Sequence, residues 1–177
     1  MRRSGLAPGY IGRMAKDYPA SPPTRHAPTT DMTRSVDERL LALQSFEPGA
    51  DGADTVHRLN DLLEGFADLA GCERVAPALL ALVERHPQAD FGTPGPLVQA
   101  LERQPGYAET LAASLQRQPT ELGAWMANRL LNSRLPADDR AAWLQRLTAV
   151  SSHPLAAKAV RESAIRFLDF QASRTGR

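Results

Sequence analysis

Four histidines and a single cysteine are the side chains of this 177-residue chain best suited to metal binding, nucleophilic attack or proton transfer. Their spacing assembles none of these. His26, His57, His86 and His153 never stand three or four residues from one another, so no helix offers two imidazoles to one metal ion. His57 and Asp61 share a helical face at i, i+4, but two ligands do not make a site, and a solvated pair is the simpler reading. Cys72, being alone, permits neither a disulfide within the chain nor a cysteine-based zinc site. Beside Gly71, between two helical runs, it reads as a small space-filling residue. A reactive thiol needs a cationic setting, and Arg74 is its only nearby candidate. There is no G-x-S-x-G elbow and no phosphate-cradling glycine loop. The glycines of Gly92-Thr-Pro-Gly95 have no strand before them, and Pro96 removes one donor that a helix start would offer an anion. Nothing selects one carboxylate pair over another for acid–base work. The expectation is a protein that is not an enzyme and takes no cofactor and no metal.

Charge is more informative. The net charge of +1 hides a split. Residues 1–31 hold five basic side chains (Arg2, Arg3, Arg13, Lys16, Arg25) against two acids (Asp17, Asp31). Between Glu47 and Glu73 stand seven acids (Glu47, Asp51, Asp54, Asp61, Glu64, Asp68, Glu73) with Arg58 the sole basic residue. Four of them, Asp54, Asp61, Glu64 and Asp68, fall on the outer side of one amphipathic helix. Such a face steers and docks a basic partner. Its plainer reading is the solvated side that any surface helix needs, and four like charges only modestly exceed that need. The basic surplus expected of a nucleic-acid-binding module is absent, so no nucleic acid is expected as partner.

The elements that must position these residues are all helical. Residues 1–31, with five prolines, three glycines and no helical period, read as a disordered segment. Met32 follows, three residues before a capping box at Ser35-Val-Asp-Glu38, and is a candidate for the true start of the protein. Residues 32–171 read as one helical domain and residues 172–177 as a frayed tail.

The first helix, with Val36, Leu40 and Leu43 inward, stops at Pro48-Gly49. The second, Asp54 to Ala70, places Val56, Leu59, Leu62, Leu63, Phe66, Leu69 and Ala70 on one side and ends at Gly71. The third spans Arg74–Arg85, with Pro77 tolerable in its first turn. Pro96 opens a fourth, Leu97–Arg103. Tyr107–Arg117 is a fifth, and Glu121–Ser133, capped by Thr120 and buried through Leu122, Trp125, Met126 and Leu130, a sixth. Pro136 begins a seventh, and Ser152 caps an eighth from Pro154 to Phe170. No period-2 alternation appears. The fold class is therefore all-α, an irregular antiparallel array of about eight helices, either a bundle or a short HEAT-like stack. No run is long and apolar enough for a membrane helix, and no secretory h-region opens the chain, so a cytoplasmic protein without a membrane partner is expected.

One segment also carries a resemblance. Gly92-Thr-Pro-Gly-Pro-Leu-Val98 is followed by Leu101-Glu102, Gly106-Tyr107, Leu111, Ser114, Arg117, Pro119, Trp125-Met126, Asn128-Arg129 and Leu131-Asn132. This run resembles a family of small bacterial immunity proteins found beside polymorphic toxins of the contact-dependent inhibition and Rhs types. The likeness covers about the quarter from Asp90 to Ser133, and the flanks agree only in being helical. It departs from the pattern at Ala124 and Ala127, where larger residues are expected.

The resemblance implies an all-helical, cytoplasmic toxin inhibitor that sequesters a cognate toxin domain by steric and electrostatic occlusion, without turnover. It transfers no contact residues. The acidic residues Asp54, Asp61, Glu64 and Asp68 are the candidate partner-binding set from charge alone, and a basic nuclease is a toxin they would suit. The alternative is a HEAT-like protein-interaction adaptor or regulatory subunit. A repeat-type helical enzyme such as a glycosylase comes third, and it should show a basic concave face with a catalytic carboxylate. Within the resembling segment, Arg129 has Trp125 to stack on and Asp90 or Glu102 to pair with, which would tie the Asp90–Gly95 loop to the helical body. Phe91 is either buried under that loop or an exposed anchor.

Overall fold

The computed structural model describes the backbone of residues 28–64, 66 and 72–175, and within these ranges the side chains of residues 36–174. Among the described residues there are eight helices and no strand: α1 Pro28–Gln44, α2 Gly52–Glu64, α3 Val75–Arg85, α4 Pro96–Glu102, α5 Tyr107–Arg117, α6 Glu121–Leu131, α7 Ala137–Ser151 and α8 Lys158–Thr175. The all-α expectation holds. No described helix is long and apolar enough to cross a membrane.

Each helix forms for a local reason. Thr120 caps α6, its hydroxyl accepting the Gly123 amide at 3.1 Å. Asp51 does the same for α2 through the Ala53 amide at 2.9 Å, so that helix opens two residues earlier than the charge pattern implied. Pro96 stands in the first turn of α4, where its missing N–H costs nothing.

Consecutive helices pack as pairs, α1 with α2, α3 with α4, α5 with α6 and α7 with α8. The odd-numbered helices also pack in succession, α1 on α3 on α5 on α7, while α2 lies on α4 and α6 on α8. Helix α6 also packs on α7. One continuous core runs through the stack, with Leu59, Leu79, Leu97, Leu111 and Leu147 fully enclosed. Each such side chain contributes about 1.5–3 kcal/mol through burial alone.

Several expectations need correction. Helix α1 begins at Pro28, ahead of the Ser35 capping box, so it runs through Met32 and takes in part of the segment expected to be disordered. Proline at a first helical position sets φ and sacrifices no hydrogen bond, which lets the helix start there. Residues 1–27 lie outside the described residues. So do 65 and 67–71, and with them the expected extension of the second helix through Leu69 and Ala70 and its end at Gly71.

Helix α8 begins at Lys158, not Pro154. The Ser152 hydroxyl turns back to the Ala149 carbonyl at 3.5 Å instead of capping forward. The turn is held by His153, whose Nδ1 accepts the Leu155 amide at 3.2 Å and whose Nε2 lies 3.0 Å from the Gln116 carbonyl. Helix α8 also continues to Thr175, through most of the tail expected to fray. Arg174 there donates to Asn132 Oδ1 at 2.8 Å and lies over the Phe170 ring.

Candidate partner-binding surface

The acidic side of α2 is exposed along Asp54, Asp61 and Glu64, and Asp68 lies outside the described residues. The three differ in how far neighbours compensate them. Asp54 Oδ2 sits 3.5 Å from the Arg58 guanidinium, which also lies 5.2 Å over the Phe46 ring, so this carboxylate helps fix the end of α1 against α2. Asp61 lies 3.7 Å from His57 Nε2, with both side chains mostly in solvent. Glu64 has no ion-pair partner among the described residues and edges a shallow depression with Asn60, Pro96, Gln99 and Arg103. The face therefore offers Asp61 and Glu64 with little compensation, while Asp54 is partly structural. The His57–Asp61 pair gains no third ligand: among the described residues no group of three metal-ligating side chains occurs.

A second feature was missed in the sequence. Residues 87–93 of the α3–α4 loop, the first turn of α6 and the start of α8 enclose a groove of about 410 Å³. Its apolar lining includes Leu122, Trp125 and Val160, and Asp90 and Glu121 stand exposed around it.

The loop is shaped by backbone rules. Asp90 Oδ1 accepts the Gly92 amide at 2.8 Å, closing an Asx turn. Gly92 has φ +73°, and a Cβ there would stand 3.1 Å from Val56 on α2. At Gly95 a Cβ would run into the Phe91 carbonyl oxygen, so nothing larger than glycine fits. Phe91 is 4% exposed, which settles it as an anchor of the loop and not of a partner.

The polar residues of the resembling segment hold the scaffold. Arg129 lies 5.7 Å over Trp125 and donates to both oxygens of Glu102, at 2.5 and 3.2 Å. It therefore ties α6 to α4, and Asp90 is not its partner. The Glu102 hydrogen bond raises the Arg129 pKa. Asn128 and Asn132, which share a face of the sixth helix by spacing, both accept from Gln171 Nε2, at 2.8 and 2.9 Å, and Arg140 donates to Gln171 Oε1 at 2.9 Å. Trp125 and Leu130 are only half-buried; Ala124, Ala127 and Leu131 take the core positions on α6 instead. Beside the half-buried Cys72, Arg74 is engaged by Asp37 at 2.7 Å, so it forms no dedicated thiolate partner.

Two hubs had no signal in the sequence because their partners lie more than 25 residues away. Glu84 on α3 accepts from Ser114 and Arg117 of α5. Glu121 accepts from Ser163 of α8 at 2.6 Å.

No protein-family model matches this chain, and no curated protein or solved structure is significantly similar to it.

Proposed function

We propose that this protein is a binding module that neutralises a protein toxin by covering its working surface, in the manner implied by the likeness of residues 90–133 to immunity proteins. The observation that carries the reading is the exposure of Asp61 and Glu64 on one helical face with weak compensation or none. Carboxylates placed in this way raise the association rate with a basic surface, and a nuclease must present such a surface to its substrate. The polar hubs tie α3 to α5, α4 to α6 and α6 to α8, and α2 packs on α4 of that helical body. Inhibition by occlusion requires nothing more, because a covered toxin site is blocked for as long as the complex lasts.

The test is co-expression with the toxin domain encoded beside this gene. Rescue of growth together with a stable 1:1 complex supports the reading. Failure to rescue against every neighbouring toxin domain, with the protein expressed and folded, removes it.

A further inference from the structure

The groove between the α3–α4 loop and the starts of α6 and α8 has a chemistry that the acidic side of α2 does not use. We propose that it receives an extended, arginine-bearing segment of a partner protein. This inference rests on the reading of the chain as a protein-binding module.

The lining has an apolar part. Leu122, Trp125 and Val160 line it, with Ala157 and Ala159 as small walls. Leu155, two residues before Ala157 in the chain, is 68% exposed. The rim is acidic. Asp90 and Glu121 are exposed, neither is in an ion pair among the described residues, and no lysine, arginine or histidine lines the groove. Each helix start brings roughly half a positive charge, so the starts of α6 and α8 offset only about half of the two carboxylates.

The oxygens are also part-used in a telling way. Asp90 Oδ1 takes the Gly92 amide, and Glu121 Oε1 takes Ser163, whose hydroxyl also accepts from Arg166. Glu121 Oε2 is left for an incoming donor, while Asp90 Oδ2 lies against the start of α2, 2.8 Å from where a Cβ on Gly52 would stand, so that Asp90 acts on the groove chiefly through its charge.

Arginine fits this combination better than any other side chain. Its stem covers the apolar lining and its several donors serve carboxylates at fixed angles, whereas the Trp125 ring already carries Arg129 on one face. An extended segment suits the groove, because it sends alternate side chains inward and leaves its backbone groups free for the rim. An extended backbone also brings carbonyl acceptors to the first turn of α8, whose leading amides have no intrahelical acceptor.

The experiment uses the full chain and its tryptophan emission. Trp125 lines the groove, while Trp143, the other tryptophan, is enclosed against Arg146. The probe is the end-blocked pentapeptide Ala-Leu-Arg-Leu-Ala, with Ala-Leu-Glu-Leu-Ala as control. The expected result is a saturable change with the arginine peptide alone, lost in Trp125→Phe, and an affinity about tenfold weaker in the Asp90→Asn, Glu121→Gln variant. That variant keeps the acceptors for Gly92 and Ser163, so the loop and α6 stay in place. No saturation below about 5 mM, a weaker limit than most specific contacts need, or an equal response to the glutamate peptide, overturns the proposal. Rescue from a toxin without any peptide response overturns the groove and leaves the binding-module reading intact. A specific peptide response without neutralisation of any neighbouring toxin keeps the groove and removes the toxin.

Discussion

Glu84 holds Arg117 by two parallel bonds, Nε to Oε2 at 3.0 Å and a terminal nitrogen to Oε1 at 2.7 Å, and its carboxylate is the better buried of the pair at 12% side-chain exposure. The same carboxylate takes the Ser114 hydroxyl at 2.6 Å, and the Glu84 backbone carbonyl takes Gln118 Nε2 at 2.8 Å. Hydrogen bonding to Glu84 raises the Arg117 pKa, the signature of a guanidinium held in its charged form. Helices α3 and α5 are thus pinned by charge as well as by leucines.

Glu84→Ala should therefore cost about 2–3 kcal/mol, since it leaves the buried Ser114 without its acceptor and Arg117 without its carboxylate. Arg117→Ala should cost less, about 1 kcal/mol, because that side chain is 58% exposed and Ser114 keeps its bond. Urea unfolding of both variants checks the order. Equal losses would mean that Ser114 contributes nothing.

Gly95→Ala should destabilise the chain by about 2–4 kcal/mol, because its methyl group would run into the Phe91 carbonyl oxygen and backbone cannot give way as a flexible side chain can. Thermal unfolding measures it. Because Phe91 anchors the groove wall, the same variant should also lose the arginine-peptide response described above.

Tyr107 gives a dependence on alkaline pH. Burial raises its pKa above the ordinary value of 10.0, the Glu102 carboxylate raises it further, and Arg129 opposes them. A folded-state pKa above the unfolded one means that the native state holds the proton longer. Stability is then unaffected below about pH 10 and falls as pH rises from there, at a slope of at most about 1.4 kcal/mol per unit. In Tyr107→Phe this part of the decline should disappear. Melting temperatures of both proteins between pH 9 and 11.5 decide it, and parallel curves would remove the assignment.

What was legible in the sequence follows from the range of the interactions involved. Periodicity and caps act within four residues, so α5 stands at Tyr107–Arg117 as its pattern required, and α6 starts at its Thr120 cap. Helix starts were misplaced wherever a different residue did the capping. Asp51 opened α2 early, and His153 delayed α8 by holding the turn itself. On α6, hydrophobicity alone favoured Trp125 and Leu130 as core, yet Ala124 and Ala127 are the fully enclosed residues. Helix α6 packs on both α7 and α8, and side chains as small as alanine fit wholly inside such a packed body. The acidic side of α2 was visible because it lies on one element. The groove was not, since its lining comes from residues 87–93, 121–125 and 157–160 and exists only once the stack forms.

Charge reversal on α2 separates a working face from a merely solvated one. Asp61→Lys with Glu64→Lys should change stability by no more than about 0.5 kcal/mol, since both side chains are exposed, Glu64 has no described ion-pair partner, and the Asp61 pair with His57 is long at 3.7 Å. Against a basic partner, however, the variant should associate at least about tenfold more slowly at low ionic strength and should lose most of the salt sensitivity of the wild-type rate. The dissociation rate should change far less, because rim charges act mainly on encounter. Adding Asp68→Lys tests whether the charged set reaches past the described end of α2. Stopped-flow association at two salt concentrations supplies every one of these quantities. Association rates equal to wild type in both salts would leave the carboxylates of α2 as a solvated surface and move the docking face to the groove beside Asp90 and Glu121.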